Sequence, residues 1–488
     1  MVLPDNIKEC HEEIIRLHQE NAWLKRHLFG QKSERRVAST PDDQLDLFGE
    51  QPEATDEEVR EERKEPPRDR RRGKQPLPKE LPREEIVIDV PAGQRTCECG
   101  QEKVVIGEDK SERLELIPAR LFVKLYRRPK YACPCCRNGV VQAALPAGPL
   151  GRAAVEAGLL AYLIVSKYAD HLPLCRMERI FARHGIELPR ARMCDWLLDA
   201  AHLLGPLYRR MRERLRGSKV LGVDETPLEM QTREGNGKND QCWLWVYRGD
   251  DAAPYTLFDF HASRGREGPR EMLGDYKGFL QSDGYAVYPS LREEAVKEGR
   301  VAWTEVRCWA HARRKFVEAE NSGDRRAGEA ITLIAALYEV EKLGADLDPG
   351  KRLELRREKA ITVLALLREW LDARPEVLPK SPLGQAIAYT LDNWDALSIY
   401  TTDPRLPIDN NAVERAIRPV AVGRKNWLFA GSERGGNAAA TWFTLIDSAR
   451  RAGLNPYEYL RDVLTRIGEH PINGIDDLLP DRWQPAAN

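Results

Sequence analysis

Five short apolar or alternating runs, at 220–223, 242–247, 255–260, 278–281 and 302–306, constrain the fold of this chain more than any other feature. Runs of this length and pattern are strands, because a helix needs a longer periodic stretch. A helical pattern over 268–276 separates the third run from the fourth. A largely helical region follows from 313 to about 395, clearest at 325–343 and 351–371. Strands interrupted by a helix and followed by a helical block predict an α/β domain with a mixed sheet and a helical insertion. A further short helix starts near Asp409, with Asp409 or Asn410 as its cap, and is expected to stop before Pro419. Two last helices are expected at 437–452 and 456–467, and no internal repeat is visible.

Upstream of the strands the pattern is helical at 153–168, 175–184 and 190–215. Turn signals at His171-Leu172-Pro173 and His184-Gly185 separate these segments. Short Arg-rich helices joined by tight turns fit a helix-turn-helix that contacts DNA, and equally a plain bundle between two domains. Further upstream, 86–90 and 113–131 read as strands, the second broken at Pro118. They frame a small β module containing half of the ten cysteines. Cys97-Glu98-Cys99-Gly100 and Cys133-Pro134-Cys135-Cys136 are two knuckle-like groups. Four thiolates on two short turns suit tetrahedral, structural Zn²⁺, with Cys97, Cys99, Cys133 and Cys136 as the best set. Cys135 competes for one of those places, and buried free thiols are the bland alternative.

The N-terminal segment 7–28 carries a heptad, with Ile7, Ile14, Asn21 and Leu28 at one core position and Cys10, Leu17 and Leu24 at the other. An Asn at one core position fixes register in a two-stranded coiled coil, so the heptad predicts self-association, with a dimer as the simplest form. A single amphipathic helix on its own body has the same pattern. Residues 33–84 form a charged linker, acidic over 42–65 and basic over 68–74, with Arg70, Arg71 and Arg72 at its centre. That basic run is either solvated or a phosphate-binding arm.

Charge enters the argument here. Lys and Arg number 76 against 77 Asp and Glu in 488 residues, a net charge of -1. This excludes a uniformly cationic DNA coater, and leaves room for basic segments offset by acidic ones. No apolar run reaches the ~18 residues of a membrane span, and the N-terminus lacks a secretory signal pattern. Clustered cysteines in a long chain point to metal ligands in a reducing compartment. The expected location is the cytoplasm.

Three acids stand out by context. Asp224 ends the first strand run, Asp283 follows the fourth, and Glu414 sits in Asp409-Asn410-Asn411-Ala412-Val413-Glu414-Arg415. Carboxylates at the ends of neighbouring strands can bind hard divalent cations through oxygen, and Mg²⁺ needs only a few such ligands. Two ions about 4 Å apart support in-line phosphoryl transfer. Glu225 is a competing ligand that spacing does not exclude, and each acid taken singly is as well explained as a turn or cap residue.

These segments closely resemble the transposases of the insertion sequence 66 family. The resemblance is carried by Leu221-Gly222-Val223-Asp224-Glu225-Thr226-Pro227, Ser282-Asp283-Gly284-Tyr285, Cys308-Trp309-Ala310-His311-Ala312-Arg313-Arg314-Lys315-Phe316 and the Asp409 to Arg415 segment. It extends to Ala22-Trp23-Leu24-Lys25-Arg26-His27-Leu28-Phe29-Gly30, to Lys130-Tyr131-Ala132-Cys133 and to Gly423-Arg424-Lys425-Asn426-Trp427-Leu428-Phe429-Ala430-Gly431-Ser432. Thr444-Leu445-Ile446-Asp447-Ser448-Ala449 extends it further, so it covers nearly the whole chain. The single residue between Cys97 and Cys99 departs from the family's usual two.

The resemblance implies a ribonuclease H-like core in which Asp224, Asp283 and Glu414 form an Asp-Asp-Glu triad holding two Mg²⁺, with Mn²⁺ as a substitute. The activity implied is cleavage at transposon ends and joining of the freed 3′-hydroxyl to target DNA. A metal-dependent nuclease without strand transfer, and an inactive DNA-binding protein, are the competing readings. His311, Arg314 and Lys315, at helical spacing, would contact the scissile phosphate or steady the triad, unless they are an ordinary basic helix face. Arg415, Arg418, Arg424, Lys425, Trp427 and Arg434 suit contacts with DNA phosphates and unpaired bases. An i, i+4 ion pair between Glu414 and Arg418 is the bland reading for that Arg; Trp427 and Phe429, interleaved with the basic residues, suit unpaired bases or the core alike, with core the better reading for Phe429. Accessory proteins of the same element are further candidate partners.

The expected domain order is coiled coil 1–32, linker 33–84, zinc module 85–146, helical DNA-binding region 147–216 and catalytic core 217–316. A helical insertion 317–404, the rest of the core 405–438 and a C-terminal helical element 439–488 complete it. The fold class is thus multidomain α/β plus α.

Overall fold

The computed structural model describes residues 121–127, 130–131, 141–142, 148–151, 155–231 and 239–486. The heptad, the linker with Arg70, Arg71 and Arg72, and all five clustered cysteines lie outside the described residues. The chain divides into two units, Met1–Ser39 with Arg128–Asn488, and Thr40–Arg127. Of the second, 121–127 are described and have no regular secondary structure. In the first, Lys130–Tyr131 pairs antiparallel with Val141–Gln142, a ladder that brackets Cys133, Cys135 and Cys136 in sequence.

Four helices precede the sheet: α1 Ala157–Tyr168, α2 Leu174–Arg183, α3 Arg190–Leu203 and α4 Gly205–Leu215. The single helix expected over 190–215 is broken at Leu204, because Pro206 stands in the first turn of α4 and cannot continue the hydrogen bonds of α3.

The sheet has five strands: β1 Val220–Gln231, β2 Asn239–Gly249, β3 Thr256–His261, β4 Phe279–Ser282 and β5 Thr304–Arg307. Their spatial order is β3-β2-β1-β4-β5. Neighbours β1, β2 and β3 are antiparallel, whereas β1, β4 and β5 run parallel. Parallel neighbours need crossovers, and α5 Glu267–Leu273 and α6 Val287–Lys297 provide them. Helix α6 was not read from the sequence, although Tyr288, Leu291 and Ala295 form its buried stripe.

Strand β1 runs far past Asp224, the residue at which the sequence reading ended it. All but its first residue pair with β2, while β4 accompanies only Val220, Leu221 and Gly222. The polar second half is thus held by one long hairpin rather than by burial on both sides.

Edge strand β3 is covered by α14 Glu433–Arg451, which blunts the edge against pairing with another chain. The Phe258 and Thr256 amides donate to Thr444 Oγ1 at 2.9 Å and Ser448 Oγ at 3.1 Å. Helix α15 Pro456–Arg466 closes this side.

The helical block follows β5 in the chain: α7 Trp309–Asn321, α8 Ala327–Leu343, α9 Pro349–Leu355, α10 Ile361–Asp372, α11 Pro382–Asp392 and α12 Trp394–Ser398. It has its own apolar core, including Phe316, Ile334, Leu337, Leu367 and Leu383. The helix expected over 351–371 contains one π turn, Arg356–Ala360. Arg356 is buried there, paired with Glu341 at 2.6 Å and donating to the carbonyls of Tyr400, Asp403 and Leu406 at 2.8–3.0 Å. Its fork therefore ties the end of the insertion to its middle and directs the chain back to the sheet. The last helix of the core, α13 Asn411–Trp427, does not stop at Pro419 but runs through it. Val413, Ala416, Val420 and Gly423 are buried along α13, and this packing offsets the roughly 3 kcal/mol that an interior Pro costs.

Candidate functional site

The β1–β4 register fixes two of the three acids. Gly222 is the last β1 residue paired with β4, opposite Gln281, so Asp224 and Asp283 each stand two residues beyond that pair, at the same end of two neighbouring strands. The Asp224 carboxyl stands well above the ordinary carboxylate range, first because it is buried and then because Asp283, Glu225 and Glu414 are like charges nearby. Its Oδ1 accepts from the Glu225 amide at 2.8 Å. Asp283 Oδ1 accepts from the Tyr285 amide at 2.9 Å, which closes the turn through Gly284 at φ 103°.

Glu414 arrives from far along the chain, on the first turn of α13. Two contacts bring it in. Gly222 lacks a Cβ where one would stand 2.7 Å from Val413 Cγ2, so the helix lies directly on the β1 backbone. Buried Asn410 donates from Nδ2 to the Val223 carbonyl at 2.9 Å, and its amide donates to Cys308 Sγ at 3.2 Å. Asn410 is thus not the side-chain cap expected from sequence. It bridges β1 and the start of α7, while Asp409 Oδ1 accepts from the Asn411 amide at 3.1 Å. The Cys308 thiol is buried, which pushes it up to about 12, so it stays a neutral acceptor here.

His311 and Arg314 face Glu414, whereas Lys315 lies over Tyr389. His311 Nδ1 is 3.9 Å from Glu414 Oε1, and Arg314 Nη2 is 4.0 Å from Glu414 Oε2. Burial, followed by Arg314, lowers the His311 pKa and favours a neutral imidazole. Lys315 Nζ lies 4.9 Å from the centre of the Tyr389 ring, and Tyr389 donates to the Asp283 carbonyl at 3.1 Å. Buried Arg307 donates to Ser282 Oγ at 2.7 Å and Asn393 Oδ1 at 2.9 Å. The insertion therefore touches the Asp283 turn through Tyr389 and reaches it through Asn393 and Arg307. Tyr389, Asn393 and Arg307 were not read from the sequence, because nothing local marks them.

Glu225, the competing acid, is engaged elsewhere. Its side chain is only 2% exposed, and Arg264 Nη2 lies 2.5 Å from its Oε1. Arg264 stacks on Tyr285 at 4.1 Å and Trp243 at 4.7 Å. Burial raises the Glu225 pKa while Arg264 opposes it.

The other basic candidates separate. Arg415, Arg418, Lys425 and Arg434 are exposed. Arg434 pairs with Asp199 at 2.7 Å. Arg424 is half-buried and donates to the Pro227 carbonyl at 2.6 Å and Thr226 Oγ1 at 3.1 Å, so it anchors α13 to β1. Trp427 is half-buried beneath Lys167, whose Nζ is 5.0 Å from the ring centre. Phe429, read as core, is exposed instead, because the chain turns outward at Leu428.

Among the described residues, no three or more His, Cys, Asp or Glu side chains stand close enough together to hold a metal ion as they are placed. The site does present hard oxygen donors, and buried Glu414 Oε1 lacks a hydrogen-bond partner. Crowded carboxylates with uncompensated charge fit a divalent ion that keeps water and substrate oxygens in its remaining positions.

A mixed sheet with clustered acids at one end, a helical insertion and an added helix bearing a third acid is an arrangement suited to metal-assisted phosphoryl transfer. Comparison with known proteins gives the class. The profile of the "Transposase IS66 family" matches residues 152–438, and that of the "IS66 C-terminal element" matches 444–480. Profiles described as "Transposase C of IS166 homeodomain" and "zinc-finger binding domain of transposase IS66" match 16–86 and 94–137. Two relatives from Sinorhizobium fredii (strain NBRC 101917 / NGR234) bear the names uncharacterized protein y4qI and y4jD. The first is 37% identical over 98% of this chain and 91% of its own, the second 35% over 99% and 97%. The chain belongs to the IS66 family of transposases, with a DDE transposase domain and a zinc-finger domain. Among the described residues, no helix is long and apolar enough to cross a membrane.

Proposed function

We propose that this protein binds the ends of an insertion sequence, cleaves there and joins the freed 3′-hydroxyls to target DNA. What supports the reading is that Asp224 and Asp283 stand at the same end of two adjacent parallel strands and that Glu414 is on the first turn of a helix packed across Gly222. The strand order 3-2-1-4-5, antiparallel then parallel, supports a ribonuclease H-like core. Mg²⁺ ions held by these acids would polarise the attacking oxygen and stabilise the leaving one.

The protein's own groups have separable roles. Neutral His311 can exchange a hydrogen bond with water or a phosphate oxygen beside Glu414. Arg314 can pair with a phosphate once DNA enters. Lys315, through Tyr389, steadies the Asp283 turn. Exposed Arg415, Arg418, Lys425 and Arg434 would contact the DNA backbone, and Arg70, Arg71 and Arg72 would form an arm. The donor set Cys97, Cys99, Cys133 and Cys136 suits structural Zn²⁺, and the ladder on either side of Cys133–Cys136 fits a knuckle there. The heptad would pair two protomers across the ends, and residues 147–216 would supply a DNA-binding region.

The test uses the purified protein, a duplex carrying the element's terminal repeat and a supercoiled target. Joined product in Mg²⁺ and none in EDTA is expected. Nicks without joining would make the protein a nuclease.

A further inference from the structure

Leu428 has φ 67° and ψ −55°, and the Phe429 amide donates to the Trp427 carbonyl at 2.9 Å. That is a three-residue γ-turn of the strained, positive-φ kind, which a leucine enters at a cost of ~1–3 kcal/mol. The surroundings hold it. The Ala430 amide donates to the Glu229 carbonyl at 2.8 Å, and the Gln231 amide to the Ala430 carbonyl at 2.9 Å. Ser432 Oγ then accepts from the Gly435 amide at 3.1 Å and starts α14. The turn is therefore stapled to the edge of β1 left open beyond β4. Its effect is to expose two apolar side chains, Leu428 at 62% and Phe429 at 36%. Both line a groove of about 900 Å³, with Arg424, Lys425, Gln241, Asn239 and Glu229 among its other walls, and Asn239 Nδ2 donates to Glu229 Oε2 at 2.7 Å.

Resting on the transposase reading, we infer that this groove holds one nucleotide of the end DNA lifted out of the base stack. Its phosphate lies on Lys425, its base on Leu428 and Phe429, and the base edge faces Asn239 and Gln241. Apolar surface beside cationic groups and amides complements a nucleotide, which has an apolar face, a charged phosphate and a hydrogen-bonding edge. Pro227, on the groove wall, is three residues along β1 from Asp224. That is ~10 Å, or about three stacked nucleotides at ~3.4 Å each. Phe429, next to Ala430 and so beside Met230, is six residues along β1 from Asp224, ~20 Å, so the lifted nucleotide lies about three to six from the scissile phosphate. The strained turn is what keeps the two apolar side chains from folding back onto the core.

The test places 2-aminopurine singly at each of the last positions of a terminal-repeat duplex. Wild-type protein should bind and raise the fluorescence at one position. Leu428→Ser with Phe429→Ser should abolish the rise and weaken binding by roughly five- to a hundred-and-fifty-fold, the range one stacked base carries. Lys425→Ala, an exposed change with little effect on folding, should lower the rise in parallel. Wild-type binding without a rise at any position overturns the groove inference alone, as does an undiminished rise in the double variant. Loss of self-association with an intact rise would make the groove a protein interface instead. No binding of the repeat at all would overturn the transposase reading itself.

Discussion

Replacing Gly222 by Ala tests how α13 is held at the site. The new Cβ would stand 2.7 Å from Val413 Cγ2 and 3.2 Å from Asn410 Oδ1. Ordinary carbon–carbon contact needs about 3.5–4.0 Å, so something moves by roughly 1 Å. Val413 cannot simply rotate away, since a helical valine has one strongly preferred rotamer. The helix itself must lift, and Glu414 lifts with it. Overpacking of this kind costs about 1–3 kcal/mol, and a misplacement near 1 Å in a catalytic group can cost about a hundredfold in rate. Thermal melting would show the first effect, and single-turnover cleavage per folded protein the second. Val413→Ala removes the methyl that clashes, so the double variant should recover much of both, as a coupled pair does. Cleavage at the wild-type rate in G222A would refute the link between this close approach and the chemistry. Additive losses in the double variant would refute the proposed contact.

Asp224→Asn should abolish cleavage yet raise the melting temperature of metal-free protein at neutral pH. Because the Asp224 pKa is raised in the fold, its contribution to stability is present below the ordinary carboxylate pKa of ~3.9 and lost as pH rises through the raised value. The gap between variant and wild type should therefore open with rising pH, in melts followed from pH 4 to 8. Arg264→Ala strands the Glu225 carboxylate, whose side chain is 2% exposed. It should destabilise by a few kcal/mol at most, because Arg264 is itself 43% exposed, and a further Glu225→Gln change should restore part of this in urea unfolding. Leu428→Gly adopts φ 67° without strain and gives up little burial, so it should melt higher than wild type by the equivalent of about 1 kcal/mol.

Local pattern made part of this structure legible. The five strand runs at 220–306 appear where their apolar periodicity put them, and α8, α14 and α15 appear near their expected limits. Elements set by tertiary partners were less visible. The second half of β1 is polar and becomes a strand only through β2. Pro419 hid the length of α13, because the packing that overrides it comes from residues two hundred positions away. Asp224, Asp283 and Glu414 stand out in the sequence by context, and the resemblance adds the triad, but the β1–β4 register and the close approach at Gly222 are visible only in the fold. Only the fold shows that Asn410 donates to the Val223 carbonyl, Tyr389 to the Asp283 carbonyl and Arg307 to the Ser282 hydroxyl, all beside the acids. The sequence left Glu225 open as a ligand, whereas the structure pairs it with Arg264, and Phe429 is outside rather than in the core.

The central claim is that Asp224, Asp283 and Glu414, and not Glu225, hold the divalent ions. Mn²⁺ titration followed by electron paramagnetic resonance, with terminal-repeat DNA present, tests it directly. Asp224→Asn, Asp283→Asn and Glu414→Gln should each lose most Mn²⁺ binding while still binding DNA, and Glu225→Gln should bind Mn²⁺ as the wild type does. Wild-type Mn²⁺ affinity in any of the first three, or its collapse in Glu225→Gln, would contradict the account.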